Sequence, residues 1–234
     1  MVIGSSRKLE QNCNIALSIS GYKICNVQTQ KLLGLYIDNT LSWKPHIDSV
    51  CAKMSSRIFL LKKIKPYLTL EMRKLFYNGY IACLADYACI NWSHAAKSEL
   101  VRLKKLQKRA CTYILNKKVK TSTELTSAHK ELNLLSFDNR VRYFTSIMVF
   151  KALHNLTPPY IYDLISPSLN DNYSLRSYSK GNLKLYTIPK TNYFKRTFSY
   201  TSINVWNTIP PSIKASNNID TFKRRLKAHL NSQT

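Results

Sequence analysis

Residues 45–66, which read PHIDSVCAKMSSRIFLLKKIKP, carry the strongest structural signal in the chain. Their apolar residues recur at intervals of three and four, which places them on one face of an α-helix: Ile47, Val50, Met54, Ile58, Leu61 and Ile64. Pro45 suits the first turn, and Pro66 ends the helix because proline lacks the amide hydrogen that a helix interior needs. The stretch therefore predicts an amphipathic helix that contributes one face to a helical core.

A second helix is predicted to follow this one. Thr69 is a suitable N-cap, since its hydroxyl can accept a hydrogen bond from the first turn. Glu71 would then lie near the positive end of the helix dipole. Residues 80–85 are apolar on every side, which is typical of a helix segment at the centre of a core.

A third helix is predicted over about residues 96–115, and its two faces differ in charge. At about 100° per residue, one arc contains Leu100, Leu103, Leu106, Gln107, Ala110 and Ile114. The opposite face carries Arg102, Lys104, Lys105, Lys108 and Arg109. Between Lys97 and Lys120 there are nine basic residues and one acid, Glu99. Because like charges on a helix face repel each other, this pattern favours a polyanionic partner over the alternative, an ordinary solvent-exposed face.

The first 39 residues favour β-strands. Ile15, Leu17 and Ile19 alternate with polar residues, which predicts a strand with one side facing inward. Ser20-Gly21 is a plausible hairpin turn into a second run through residues 22–27. A third strand is predicted over residues 32–37, LLGLYI.

The chain beyond residue 120 predicts further helices. Ser136 suits the N-cap of a helix with Phe137, Val141, Phe144 and Met148 on one side. Pro158 and Pro159 close this helix, and a short one is expected to reach about residue 165. A final helix is predicted with Asp220 as its N-cap, with Phe222, Leu226 and Leu230 facing inward.

Residues 166–194 differ in character from the rest, because Ser, Asn, Tyr and Lys dominate them. We expect an irregular segment here. Its tyrosines are interleaved with lysine and arginine residues. Tyrosine rings of this kind can stack on unpaired nucleobases while the basic residues contact phosphates, although tyrosine-rich loops also occur without that role. Taken together, the patterns predict an α+β fold that is mainly α. It has a small antiparallel β-sheet at the N-terminus, a three-helix bundle and further C-terminal helices.

Composition narrows the class of protein. The chain has 234 residues, with 36 Lys and Arg against 12 Asp and Glu, for a formal net charge of +24. Hydrophobic residues make up 44% and aromatic residues 11%, which excludes a fully disordered basic tail. A charge of this size predicts an anionic partner, with nucleic acid first and an anionic membrane surface second.

Neither a secretory signal nor a membrane span is predicted. The N-terminus lacks an apolar core, and polar residues interrupt the most apolar stretch, residues 75–92. The six cysteines include no C-x-x-C pair, and Cys83, Cys89 and His94 do not have the spacing of a structural zinc site. We therefore expect reduced thiols, no bound metal, and a protein of the cytoplasm or nucleus.

No catalytic constellation is predicted. No two acids are adjacent in the chain, and the five histidines are scattered. Asp38 is interpreted as a residue at a strand end or helix approach rather than a metal ligand. His46 is interpreted as a packed or capping histidine.

Several motifs resemble the reverse transcriptases of non-long-terminal-repeat retrotransposons, in particular jockey-like elements. Residues 32–47, LLGLYIDNTLSWKPHI, resemble the "LGxxID…LxWxxHI" pattern between palm and thumb. Residues 87–92 (YACINW), 106–110 (LQKRA) and 206–213 (WNTIPPSI) resemble "YGxxxW", "LQxRA" and "WNxIPxxI" of the same family. The four matches occur in order and span nearly the whole chain.

The resemblance implies a division into three parts. Residues 1–44 would be a β-rich palm remnant, 45–120 a three-helix thumb that grips template and primer, and 121–234 a helical C-terminal region containing the irregular residues 166–194. The family's polymerisation uses a "YxDD"-type acidic motif with magnesium. This motif is absent here, so it is expected upstream of Met1 with the fingers and most of the palm. This chain is then expected to bind no cofactor and to be inactive alone.

The candidate nucleic-acid-binding residues are all basic and are expected to contact phosphates of RNA, DNA or their hybrid: Lys53, Arg57, Arg102, Lys104, Lys105, Lys108, Arg109, Lys117, Lys118 and Lys120. The first hypothesis is a polymerase fragment that contributes this binding. The second is a non-enzymatic basic adaptor derived from such an element, which a start codon and promoter of its own would favour. A membrane-surface protein is a third and weaker alternative, because the apolar stripe of the final helix is narrow.

Overall fold

The computed structural model describes residues 1–11, 17–165, 181–185 and 190–233. They group into two compact units. The N-terminal unit comprises residues 1–85 and 95–110, and the C-terminal unit comprises residues 86–94 and the described residues from 111 onward. The predicted fold class, α+β and mainly α, is confirmed.

The strands form two separate antiparallel hairpins in the N-terminal unit. β1 (Leu17–Ile19) pairs with β2 (Tyr22–Ile24), and β3 (Thr29–Leu32) pairs with β4 (Leu35–Asp38). The turn residues have positive φ values, 49° and 80° at Ser20 and Gly21 and 47° and 84° at Leu33 and Gly34. Positive φ at both central residues is the requirement of a two-residue type I′ turn. The hairpin at Ser20-Gly21 is therefore confirmed.

Two predictions about the strands are wrong. Residues 32–37 do not form one strand, because the chain reverses at Leu33 and Gly34. Leu17 and Ile19 do not point inward, since they are 57% and 66% exposed. Alternation predicts which residues share a face, but not whether a second layer covers that face. Ile15, the first residue of the predicted alternation, lies outside the described residues, and a helix (Ser6–Gln11) occupies part of the region predicted as strand.

The helices of the described residues are α1 (Ser6–Gln11), α2 (Lys44–Ile64), α3 (Leu70–Phe76), α4 (Cys83–Asp86), α5 (Cys89–Trp92), α6 (Lys97–Leu115), α7 (Ser122–Leu132), α8 (Phe137–Leu153), α9 (Pro159–Asp163), α10 (Phe198–Asn207), α11 (Pro211–Lys214) and α12 (Ile219–Ser232). Short 3₁₀ turns occupy Lys65–Tyr67 and Phe194–Arg196, and a π-helical stretch, Tyr77–Ala82, connects α3 to α4.

The helix predictions for the N-terminal unit are largely confirmed. Pro45 lies in the first turn of α2 and Pro66 follows its last residue, Ile64, as predicted. Thr69 caps α3 by accepting a hydrogen bond from the Met72 amide at 3.3 Å. The expectation that residues 80–85 are central is wrong in part. Ile81, Ala82 and Ala85 are buried, but Tyr80 and Cys83 are exposed, because this segment presents only one side to the core.

The core of the N-terminal unit is built around α2, which packs against β4 and the π-helical stretch. Five of the six apolar residues that predicted α2 are buried, and Ile64 is half-buried. Leu103 and Ala110 of α6 are buried in the same unit, together with the polar Gln107. The burial of these residues fixes which face of α6 is turned toward solvent.

The C-terminal unit is built around α8, which packs against α10 and α12. Ser136 is confirmed as the N-cap of α8, since its hydroxyl accepts a hydrogen bond from the Asn139 amide at 3.3 Å. The core contains Phe150, which stacks on Phe222 of α12 with ring centroids 4.3 Å apart. Leu226 and Leu230 of α12 are buried in the same core, as predicted.

Of the four residues predicted on one side of α8, Phe137 is buried and Val141, Phe144 and Met148 are half-buried, because Thr145, Ser146, Val149 and Phe150 take the innermost positions. The predicted start of the final helix is corrected. The N-cap of α12 is Asn218 rather than Asp220, because its carboxamide oxygen accepts a hydrogen bond from the Thr221 amide at 2.8 Å. α7 was not predicted, although Thr121 and Glu124 form a capping box at its start. The irregular segment predicted at 166–194 falls largely outside the described residues.

Candidate nucleic-acid interface

A groove runs between α2 and α6 within the N-terminal unit. It encloses about 300 Å³ and is lined by two residues of α2 and four of α6: Cys51, Ser55, Arg102, Lys105, Leu106 and Arg109. Cys51 and Ser55 are four positions apart on α2, and Arg102, Lys105, Leu106 and Arg109 follow the three-to-four spacing of one face of α6. The apolar periodicity that buries Leu103 and Ala110 thereby directs the basic residues to the wall of the groove.

Lys105 and Arg109 are two exposed cations of this wall. They stand four residues apart on α6, which is about one helical turn. Across the groove lies the hydroxyl-bearing Ser55. Two cationic side chains beside a hydroxyl suit a phosphate oxygen, which accepts charge-assisted hydrogen bonds from such donors.

Arg102 differs from these two residues because carboxylates already surround it. Its guanidinium donates to Asp48 of α2 and to Glu99, the latter at 2.6 Å. Hydrogen bonds to these two carboxylates raise the pKa of Arg102, so it remains a cation. Arg102, Asp48 and Glu99 together carry a net charge of −1. This end of the groove therefore attracts a phosphate less strongly than the basic residues of α6 alone would.

Arg57 is also engaged within the protein. Its Nη1 donates to the backbone carbonyl of Tyr80, and its guanidinium carbon lies 4.0 Å from the centroid of the Tyr80 ring. These contacts tie α2 to the π-helical stretch. Lys53, four residues earlier on α2, is exposed but does not line the groove.

The remaining candidates lie elsewhere. Lys104 and Lys108 belong to α6 but are half-buried and do not line the groove. Lys117, Lys118 and Lys120 belong to the C-terminal unit, where Lys117 pairs with Glu131 at 2.9 Å. The amide of Lys120 donates to Glu124 at 2.6 Å and so helps to cap α7. The structure thus places Lys105 and Arg109, with Arg102, in one groove, and the other candidates outside it.

Asp38 has the structural role that was predicted for it. Its carboxylate accepts hydrogen bonds from the Thr40 hydroxyl at 2.5 Å and from the amides of Ser42 and Trp43 at 3.0 and 2.8 Å. Burial alone would raise the pKa of Asp38, but these hydrogen bonds outweigh it and hold the pKa below its ordinary value. The carboxylate therefore fixes the turn that leads from β4 into α2.

His46 is packed, as predicted. It is buried in the first turn of α2, and its Nδ1 lies 3.5 Å from the Tyr36 amide, which donates to it. Burial and the nearby charge of Lys53 lower the pKa of His46. The imidazole is therefore neutral at physiological pH, as suits a core residue.

No group of three or more His, Cys, Asp or Glu side chains that could hold a metal occurs among the described residues. Cys25, Cys51, Cys83, Cys89 and Cys111 are free thiols. Burial raises the pKa of Cys89 and of Cys111 to about 12, so these two thiols are poor nucleophiles. Among the helices within the described ranges, none is long and apolar enough to span a bilayer.

Sequence reasoning did not anticipate two features of the groove. The first is Asp48, whose carboxylate meets an arginine 54 residues away in the chain. The second is the α2 side of the groove, Cys51 and Ser55, which carries no charge signal. The position of Ser55 on α2, one residue after the buried Met54, offers a weak signal of a residue at the edge of the core.

Comparison with known proteins finds a sequence similarity to a polymerase. It is similar to a protein described as a probable RNA-directed DNA polymerase from transposon BS of Drosophila melanogaster, with 26% identity over 139 residues. The match covers 56% of this chain and 14% of the polymerase, so the chain spans only a small part of that protein's length. No protein-family model and no solved structure matches the chain. The similarity, distant and partial as it is, supports an origin related to reverse transcriptases.

Proposed function

We propose that the chain is a fragment of the RNA-directed DNA polymerase of a jockey-like non-long-terminal-repeat retrotransposon, and that it binds template and primer through a thumb. In this proposal residues 1–44 complete a palm, 45–120 form the thumb, and 121–234 form a C-terminal region. The observation that carries the binding role is the groove between α2 and α6, whose wall presents Lys105 and Arg109.

The binding follows from charge and shape rather than from base recognition. Lys105 and Arg109 would contact backbone phosphates, which provide affinity without sequence specificity. A polymerase thumb needs this property, because it must hold every sequence that passes through it. RNA, DNA and RNA–DNA hybrid are therefore all candidate partners, and the cytoplasm or nucleus is the proposed location.

Catalysis is assigned to residues outside this chain. No two acids are adjacent in the sequence, and the described residues hold no cluster that could bind a metal. We expect the chain alone to show no primer extension. The acidic residues and their magnesium would belong to the upstream palm and fingers of a longer protein.

A binding assay tests the proposal. Fluorescence anisotropy with a labelled RNA–DNA hybrid should show binding at about 50 mM salt that weakens steeply when the salt is raised about fourfold. Charge reversal of Arg102, Lys105 and Arg109 to Glu should abolish most of this binding while helicity by circular dichroism stays unchanged. Absence of binding at low salt, or unchanged affinity of the folded triple variant, would refute a binding role for this groove.

A further inference from the structure

The sequence pair Trp206-Asn207 at the end of α10 holds a short piece of extended backbone. The indole nitrogen of Trp206 donates to the carbonyl of Gly181 at 2.9 Å. The carboxamide of Asn207 makes two hydrogen bonds to Leu183, donating to its carbonyl and accepting from its amide, both at 2.9 Å. One side chain therefore satisfies both polar groups of a residue, as a neighbouring β-strand would.

A third side chain, that of Lys214, contacts Asn182, the residue between Gly181 and Leu183. Nζ of Lys214 donates to the carboxamide oxygen of Asn182 at 2.6 Å and lies 5.7 Å from the centroid of the Trp206 ring. Lys214 is only 8% exposed, and its burial lowers its pKa. A buried ammonium is costly unless polar groups face it. Asn182 and the face of the indole supply such groups.

Apolar contacts complete the recognition. Leu183 is 8% exposed and belongs to the core of the C-terminal unit, and Leu185 packs against that core, whereas Lys184 between them is exposed. Gly181 has a φ of 63°, a conformation that favours glycine, although an added Cβ would meet only ordinary contacts 3.6 Å away. The contacts thus involve the backbone of Gly181, the side chain of Asn182, the backbone and side chain of Leu183, and the side chain of Leu185.

We propose that Trp206, Asn207 and Lys214 form a recognition site for an extended peptide of the sequence Gly-Asn-Leu-Lys-Leu. Residues 181–185 of the same chain, which have this sequence, occupy the site. Trp206 and Asn207 then anchor a polypeptide segment. Because the contacts are directed at backbone groups and at two side chains, the site should also accept the same peptide from solution when the chain's own segment is displaced.

The first test measures how firmly the segment is held in the full chain. Asn207→Ala should accelerate hydrogen exchange in residues 181–185 by about 10- to 30-fold, the effect of removing two hydrogen bonds of ordinary strength. Asn204→Ala is the matched control, because Asn204 is exposed one turn earlier on α10. Asn182→Ala, at a half-buried residue of the segment itself, should also accelerate exchange without disturbing the core. Exchange equal to that of the control in both variants would overturn the proposal.

The second test asks whether the site binds in trans. Leu183→Asp should expel the chain's own segment, and a fluorescein-labelled Gly-Asn-Leu-Lys-Leu peptide should then bind. Adding Asn207→Ala to this variant should weaken peptide binding at least about tenfold, since both backbone hydrogen bonds are lost. The peptide should also bind more weakly to the original chain, because that chain's own segment fills the site. If circular dichroism shows that Leu183→Asp is unfolded, Leu183→Ala with Asn182→Ala replaces it. Failure of a folded, segment-displaced variant to bind the peptide, or binding that does not depend on Asn207, would refute the recognition site.

Discussion

Replacing Lys105 and Arg109 by alanine should weaken nucleic-acid binding in a way that depends on salt. The two side chains are exposed and line the groove between α2 and α6. Neither residue lies on the buried face of α6, which contains Leu103, Gln107 and Ala110. The double variant should therefore fold normally and lose only its phosphate contacts.

The magnitude follows from the release of counterions. Each phosphate that a protein cation neutralises contributes about −0.9 to the slope of log K against log salt for a duplex. Losing two contacts should make the slope shallower by about 1.8. Between about 50 and about 200 mM salt, the affinity of the double variant should therefore fall about 12-fold less than that of the original chain. Arg102 is left out of this sum because Asp48 and Glu99 already pair with it.

The assay is fluorescence anisotropy with a labelled RNA–DNA hybrid duplex at five or so salt concentrations across that range. A matched control is Arg224→Ala with Lys227→Ala on α12, where both side chains are exposed. Control and test variants remove the same net charge, so a general electrostatic effect would change both slopes equally. Equal slopes for the two variants, or an unchanged slope for Lys105→Ala with Arg109→Ala, would refute the assignment of phosphate contacts to this groove.

Three further predictions concern other parts of the molecule. Asp48→Asn with Glu99→Gln releases Arg102 from its carboxylates and should steepen the same salt slope by about 0.9; an unchanged slope would contradict this role for Arg102. Nε of Arg140 donates to the Asp86 carboxylate at 2.6 Å, and both side chains are largely buried. Asp86→Ala removes this carboxylate and should lower the free energy of unfolding in urea by about 2–4 kcal/mol. Glu71→Ala removes an exposed carboxylate that pairs with Lys74 and should cost less than about 1 kcal/mol. Burial lowers the pKa of His129 below 6.5, so below that pH the unfolded chain binds a proton that the folded chain does not. Stability should therefore fall as the pH decreases from about 6.5 to 5, and His129→Gln should flatten this decline in urea titrations; an equally steep decline would contradict it.

The helices that were predicted well carry their signals within a few residues. Pro45 lies in the first turn of α2 and Pro66 follows its end, and the spacing of three and four between apolar residues fixes the buried face. Thr69 and Ser136 act as caps through hydrogen bonds to amides three residues later. Such signals are local, so a single sequence contains them in full.

The predictions that failed depended on packing. Leu17 and Ile19 alternate as a buried strand would, but the hairpin leaves them exposed. Tyr80 lies in an apolar stretch that turns only one side to the core. In both places the local sequence pattern contained no information about which side of the segment the rest of the fold covers.

The sequence by itself determined the positions of α2, α6 and α12, the strong basic character of α6, and the absence of adjacent carboxylates. The tertiary structure decided which basic side chains line a common groove. It paired Arg102 with Asp48, 54 residues away in the chain, and directed Arg57 toward Tyr80. It also brought Asn207 to the backbone of Leu183, 24 residues earlier. Long-range partners of this kind depend on how the helices pack, because a charged or amide side chain forms its hydrogen bonds with whatever the fold places within about 3 Å of it.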